Sequence, residues 1–312
     1  MVDLALVILN YNTRDLLREC LKSVFANTGV QTAVCVVDNA SADGSLDMVR
    51  AEFPLAVALA SPRNGGYPFG NNLGLKYFGF DGSRPAEELP RYAALLNPDT
   101  VAPEGALAGL VRFMDEHPEA GACGPRLILM DGSLDLACRR GFPTPEVAAY
   151  RMLGLSRLFP RSRRFGRYNM TFLDEHEVAE VDAVVGACMV VRREALVQVG
   201  LMDEAYFMYG EDLDWAKRIK ERGWKIFYNP AVTIHHVKRA SSRLSRKAQV
   251  EFYRSMVIFY RKHYQAATPF WLDWLVMGGI FVKGGLALVQ DVLRRPLSAG
   301  AQAASGPGGS QA

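Results

Sequence analysis

The first sixty residues change period four times. LALVILNY (4–11) is a short apolar run. TRDLLRECLKSVFAN (13–27) then sets Leu16, Leu17, Cys20, Leu21, Val24 and Phe25 on one side of a helix that Thr13 can cap. AVCVVDNAS (33–41) is β-rich, SADGSLDMVRAEF (41–53) reads as a second helix and LAVALAS (55–61) as a third strand. A β-α-β-α-β order is the signature of a doubly wound parallel sheet. It also says where to look for function, because ligands of such sheets bind outside the carboxyl ends of the strands. Asn10, Tyr11, Asn12, Asp38 and Asn39 stand at those ends.

Further along, NNLGLKYFGF (71–80) reads as a helix and YAALLNPDT (92–100) as a strand with Asp99 at its end. PEGALAGLVRFMDEHP (103–118) is an amphipathic helix with Pro103 near its start, and AGACGPRLILMDGS (120–133) a strand leading to a hairpin-like turn at Asp131-Gly132. VDAVVGACMVVRREAL (181–196) gives a strand, then a helix. WKIFYNPAVTIHH (224–236) gives two short strands, and QVEFYRSMVIFYRKHY (249–264) a helix with aromatic and basic sides. Residues 139–168 differ in kind, with eight Arg against one Glu and several Pro. They are either a solvated loop or a contact for an anionic surface, whether membrane phospholipid or the diphosphate of a polyprenyl-linked acceptor.

A chain of 312 residues, 49% hydrophobic, can bury a substantial core, and a net charge of +3 gives no nucleic-acid signal. The five Cys (20, 35, 123, 138, 188) show no zinc spacing and read as reduced thiols of a cytosolic protein. Asp3 interrupts the start, so no signal peptide is expected. PFWLDWLVMGGIFVKGGLALVQDVLRR (269–295) is apolar and aromatic, but its longest uncharged run, Trp274 to Val282, falls short of the ~20 residues needed to span a bilayer. Interfacial helices with Trp271 and Trp274 at headgroup depth are the preferred reading, and helices packed on the core the alternative. SAGAQAASGPGGSQA (298–312) is low-complexity and expected to be disordered.

Neither a GxxxxGKS/T phosphate loop nor a GxGxxG follows the first strand. Asn and Asp stand there instead. Asp38 can accept from a base N–H and a ribose, or serve only as a turn residue. RNGGYPFGNN (63–72), with Arg63, Asn64, Gly65 and Asn72, offers amides and backbone N–H groups to a nucleotide or sugar. In LNPDT (96–100), Asp99 can supply an oxygen to a hard cation on a diphosphate. An imidazole from His235 or His236 suits Mn²⁺ better than Mg²⁺. In YGEDLDWAKRIKERGW (209–224), Glu211 and Asp212 follow Gly210 at a helix start. They either suit the helix dipole or provide a catalytic base. In that helix Leu213, Ala216 and Ile219 should pack inward, with Asp214–Arg218 and Lys217–Glu221 as pairs on the wet side and Gly223 as the stop.

Taken in order, VILNYN, VVDNASADGS, PRNGGYPFGNN, LLNPDT, GACMVVRREAL, GLMDEAYFMYGEDLDWAKRIKERGWKI and HH resemble the family-two glycosyltransferases, over roughly residues 4 to 265. RRGFPT (139–144), the Arg-rich run after it and HHVKRASS (235–242) are most similar to bacterial rhamnosyltransferases that use dTDP-L-rhamnose in cell-surface polysaccharide assembly. The resemblance implies an α/β, GT-A fold: a Rossmann-like, mostly parallel central sheet flanked by helices, with C-terminal amphipathic or apolar helices. Residues 1–265 would form the glycosyltransferase domain, with a nucleotide-binding half (1–100) and an acceptor and catalytic half (101–265). Residues 266–297 would associate with the membrane. It implies a nucleotide-diphosphate sugar donor bound by Asn10, Tyr11, Asn12, Asp38, Asn39, Arg63, Asn64, Gly65, Asn72, Asn97 and Asp99. A divalent cation, Mg²⁺ or Mn²⁺, would be held by Asp99 and His235, with His236 the runner-up. Asn97 replaces the first acid of the metal motif. Asp212 would be the base, with Glu211 beside it, in an inverting transfer to a glycan or polyprenyl-linked acceptor. No QxxRW follows, which favours transfer of one sugar over polymerisation. The protein would be cytoplasmic, at the inner face of a bacterial membrane. A UDP-hexose donor, or an inactive nucleotide-sugar-binding scaffold, are the alternatives.

Overall fold

Strand β1 (Leu4–Asn10) is buried along its whole length, as a strand covered on both faces must be. Helix α1 (Arg14–Phe25) returns the chain to β2 (Thr32–Asp38), and α2 (Ser45–Glu52) to β3 (Val57–Ala60). All three strands are parallel, and the register sets Asn10 beside Asp38. The computed structural model describes residues 2–237 and 246–294. The expected tail 298–312 and the end of HHVKRASS (238–242) lie outside them.

Two local expectations change here. Thr13 does not cap α1: its hydroxyl donates to Asn10 Oδ1 at 2.6 Å. The cap comes from the next loop, where Asp43 Oδ2 accepts the Arg14 N–H at 2.8 Å. Helix α3 (Tyr67–Tyr77) begins four residues before Asn71, with Pro68 in the first turn, where a missing N–H breaks no bond within the helix.

Beyond β4 (Tyr92–Leu96) and the two-residue β5 (Thr100–Val101), α4 (Ala106–Glu116) leads to β6 (Ala120–Leu129). The Asp131-Gly132 turn forms, closed by the Leu129 N–H on Ser133 O. The Arg-rich segment holds α5 (Pro145–Met152) and α6 (Leu155–Leu158). Then follow β7 (Ala179–Val181), β8 (Cys188–Arg192), α7 (Arg193–Val199), α8 (Glu211–Glu221) and β9 (Lys225–His236). The sheet runs β3-β2-β1-β4-β8-β6-β9-β5, with β7 also on β9. β4 and β8 are antiparallel, whereas β6 and β9 are parallel. β9 is one strand, not the expected two. Its pairing with β6 jumps from Asn229 to Thr233, so Pro230 bulges out without ending it.

After the sheet, α9 (Arg246–His263) and α10 (Phe270–Arg294) form a helical hairpin, with a break in α10 at Gly285, φ +66°. Val257, Ile280 and Leu288 bury its seam, and Arg254 bonds Asp291 across it at 3.1 Å. The opposite side of α10 leaves Phe270, Trp271, Trp274, Leu275 and Val282 exposed. Among the described residues no helix is long and apolar enough to cross a membrane. All five cysteines are buried and unpaired, in keeping with reduced thiols.

Candidate active site

The amides at the strand ends mostly organise one another. Asn10, fully buried, donates to Asp38 Oδ1 at 2.9 Å, and Asp38 Oδ2 accepts the Ser41 N–H at 2.9 Å. A carboxylate has about four acceptor sites, so Asp38 keeps capacity for a ligand. Asn39 ties the glycine loop to β2: its amide donates to Asn64 Oδ1 and Gly66 O and accepts from the Gly65 N–H. Asn12, at φ +53°, accepts the Ala42 N–H, while Tyr11 and Arg63 are exposed. Asn72 bonds within the fold. Its amide donates to Met202 O and Glu204 Oε1 and accepts the Met202 N–H. Both ends of the amide join α3 to the segment before α8, which ties Asn72 to the fold.

The metal candidates converge because β5 pairs with the end of β9, setting Thr100 against His236. The two adjacent histidines part in surroundings. His235 is exposed and His236 buried, since successive residues of a strand face opposite ways. His236 Nε2 stands 3.4 Å from Asp99 Oδ1, and its Nδ1 is 3.0 Å from Asp135 Oδ2. Burial opposes charge on this imidazole, but hydrogen bonds to Asp135 and Asp99 outweigh it and raise the pKa to about 9. Among the described residues no set of three or more His, Cys, Asp or Glu is arranged to hold a metal by itself. The donors present still fit a cation shared with a diphosphate, which takes few protein ligands. Asp99 offers an oxygen, His236 a nitrogen, and Asn97 Oδ1 is buried without any partner. Asp135 was not foreseen. It holds Nδ1 and leaves Nε2 facing Asp99, the usual arrangement behind a ligating imidazole.

Glu211 and Asp212 open α8 after Tyr209 and Gly210, both left-handed at φ +69° and +81°. A non-glycine residue rarely holds that conformation, which marks the entry as constrained. Both acids are buried. Asp212 Oδ2 accepts from Arg140 Nη2 at 2.7 Å and the Gly186 N–H at 3.1 Å, and Oδ1 from the Leu213 N–H at 2.8 Å. Glu211 Oε2 is buried without a partner, and burial, then the Asp212 charge, raises its pKa to about 8. Arg140 also escaped sequence reasoning. The signal was present in RRGFPT, but nothing there says which of the two arginines, both buried, meets Asp212.

The stretch 185–187 joins these parts. The Asn97 N–H bonds Ala187 O at 2.9 Å, Gly186 holds Asp212, and the Tyr67 hydroxyl donates to Gly186 O at 2.7 Å. Tyr67 follows Gly66, the glycine that Asn39 anchors. So the ends of β2 and β4 and the start of α8 share one contact path. Further along α8, Leu213, Ala216 and Ile219 are buried and Lys217–Glu221 forms at 2.8 Å, as expected. Asp214 is not on the wet side. It is fully buried among Arg218 (2.9 Å) of its own helix and Lys262 (2.8 Å) and His263 (2.8 Å), which bind α9 to α8.

Known proteins add to this geometry. The family model described as "Glycosyltransferase like family 2" matches residues 3–251. The chain is 28% identical over 294 residues to the N-acetylglucosaminyl-diphospho-decaprenol L-rhamnosyltransferase of Mycobacterium tuberculosis, covering 94% of each. Its fold is similar to that of GalNAc-T7 solved with UDP, GalNAc and Mn²⁺, at a TM-score of 0.59 and 15% identity over 95% of this chain and 58% of that one. It is also similar to the mannosyltransferase PcManGT from Pyrobaculum calidifontis, solved with GDP-Man and Mn²⁺, at a TM-score of 0.55 and 15% identity over 94% and 75%. At that identity the structural likeness establishes the GT-A fold alone.

Proposed function

The chain belongs to glycosyltransferase-like family 2, and from that premise we propose that it moves one L-rhamnosyl unit from dTDP-L-rhamnose to a hydroxyl of a lipid-linked glycan, with inversion. The rhamnosyl choice rests on the similarity to the mycobacterial L-rhamnosyltransferase, whose name also carries a polyprenyl-linked acceptor. The observation that carries the catalytic reading is the contact path from Asn97 through Ala187 and Gly186 to Asp212. It sets the leaving-group side of the site beside a buried acid.

In this reading Asp38, oriented by Asn10, receives the nucleoside, and the Asn64–Gly66 loop lies along the donor. Asp99 and His236 would hold a divalent cation, with the unpartnered Asn97 Oδ1 a further candidate ligand; the cation would supply positive charge for the departing diphosphate. Asp212 takes the acceptor proton. The acceptor oxygen then bonds to the anomeric carbon as the bond to the diphosphate breaks on the opposite face, releasing the nucleoside diphosphate. Holding both substrates in line accounts for much of such a rate.

A membrane surface suits the outer parts. Leu153, Leu158 and Phe159 are exposed among Arg157, Arg161 and Arg163, and Met152 of α5 reaches Gly279 of α10. The apolar side of α10 and the arginines would then meet anionic lipid together, a pairing of two weak anchors. This would keep the enzyme at the inner face, beside its acceptor.

A donor screen tests the proposal. Purified protein with Mg²⁺ or Mn²⁺ and a panel of dTDP- and UDP-sugars should release dTDP from dTDP-rhamnose. Asp212→Asn should lower that turnover by about 10²–10⁴, the range for a lost general base. Preference for a UDP-hexose would overturn the rhamnose assignment alone. No turnover and no stabilisation by any donor would favour the scaffold.

A further inference from the structure

The two adjacent acids at the start of α8 are not held alike. Asp212 has three donors, two on Oδ2 and one on Oδ1. With about four acceptor sites on a carboxylate, a single open one remains, on Oδ1. Among the described residues no cation bonds Glu211, which feels Arg140 only at a distance, and its Oε2 has no partner. The difference is Arg140. Its Nη2 is shared between Asp212 Oδ2 and Val184 O, and both side chains of the ion pair are nearly closed to solvent.

Arg140 arrives in a fixed pose. Its backbone N–H donates to Ala183 O at 2.9 Å, and its carbonyl accepts the Ala183 and Asp182 N–H groups. The next residue packs so closely that a Cβ on Gly141 would sit 2.4 Å from Arg167 O. Val184 O and the Gly186 N–H lie just beyond on the same strand approach. Neither the guanidinium nor the carboxylate has freedom to choose another partner cheaply, since breaking a buried pair leaves a charge uncompensated.

We propose that Arg140 is a positioning residue that selects Asp212 over Glu211 as the proton acceptor, by fixing the Asp212 carboxylate with one Oδ1 site open. Two carboxyl groups in adjacent positions do not both ionise readily, and a cation on one of them decides which keeps the charge. The charged or titratable groups around the pair include Arg140 from the segment before α5, Tyr67 on α3, Tyr168 near Arg140, Tyr206 from the segment before α8, and Asp214 on α8 itself. Only Arg140 is a cation in contact with Asp212 among the described residues. The direction for Glu211, raised by burial and by the Asp212 charge, agrees with a neutral Glu211 at pH 7.

The inference rests on Asp212 being the base, and the two fail separately. With dTDP-L-rhamnose as donor and water as acceptor, released dTDP is followed from pH 5 to 9 for the wild type, Arg140→Gln and Arg140→Lys. Arg140→Gln should lower kcat by about 10–100-fold with KM for the donor unchanged. The acid limb of its kcat profile should move up by about one pH unit or more, because a lost neighbouring cation raises a carboxyl pKa. Arg140→Lys keeps the charge, so kcat falls while the limb stays near its wild-type position. It carries the comparison should the glutamine variant not fold. A fall in kcat with an unmoved limb in Arg140→Gln, or a rise in KM with kcat held, would overturn the proposal. Melting temperature against pH gives a readout without turnover. Between pH 8 and 6 the glutamine variant should gain more stability than the wild type, since its two acids then share protons. Equal slopes would count against the ion pair's selecting role. Wild-type turnover in Asp212→Asn would instead sink the base assignment, leaving the melting comparison to decide on Arg140.

Discussion

His236 and His235 are neighbours with opposite surroundings, and this makes the cation reading sharp at the scale of single residues. His236→Ala should raise the Mn²⁺ concentration needed for half-maximal thermal stabilisation in the presence of dTDP at least tenfold, while His235→Ala leaves it within twofold. Equal effects would remove His236 from the cation's coordination. Parity along β9 could not be counted in the sequence, because the bulge at Pro230 resets which side each later residue faces. Glu211 gives a pH prediction of definite sign. Its folded pKa, raised to about 8, lies above the free value of 4.5, so the stability it contributes is present below about pH 4.5 and is lost as pH rises through about 8. Glu211→Gln should therefore flatten the fall in melting temperature between pH 5 and 8. An unchanged slope would mean that Glu211 is not the group titrating there.

At the scale of elements, α8 shows how local pattern and tertiary context divide the information. Its apolar spacing and glycine boundaries were readable, because they depend on residues within one or two turns. The environment of Asp214 was not, because Lys262 and His263 arrive from α9, about fifty residues later. The same limit hid Arg140, whose partner lies 72 positions away. The β-α-β-α-β start was legible because each element announces its own period, and β9 was split in two because a proline reads as a breaker when it can also bulge. Asp214→Ala should cost about 3–5 kcal/mol in urea unfolding, the range for one partner removed from a buried ionic cluster. Glu221→Ala, which breaks the exposed Lys217 pair, should cost about 0.5 kcal/mol or less. Similar costs for both would mean that Asp214 does not bind α9 to α8.

For the whole molecule, the question is how a sheet-based enzyme would meet the lipid-linked acceptor proposed for it. Asp214 joins α8 to α9, α9 packs on α10, and α10 adjoins the Arg-rich segment through Met152 and Gly279. A surface that grips lipid through α10 and the arginines would thus be mechanically continuous with the helix that carries Asp212. The two anchors should be separable by their physics. Basic residues near an anionic surface contribute about 1 kcal/mol each and are screened by salt, whereas interfacial tryptophans are insensitive to both lipid charge and ionic strength. Replacing Arg157 and Arg161 with Gln should therefore weaken co-flotation with vesicles containing anionic lipid by about 30-fold, the equivalent of about 2 kcal/mol. The loss should shrink in high salt and vanish on neutral vesicles. Trp271→Ala with Trp274→Ala should weaken binding to both kinds of vesicle. If the arginine variant binds anionic vesicles as the wild type does, the Arg-rich segment is a solvated loop, and the apolar side of α10 must account for lipid contact without it.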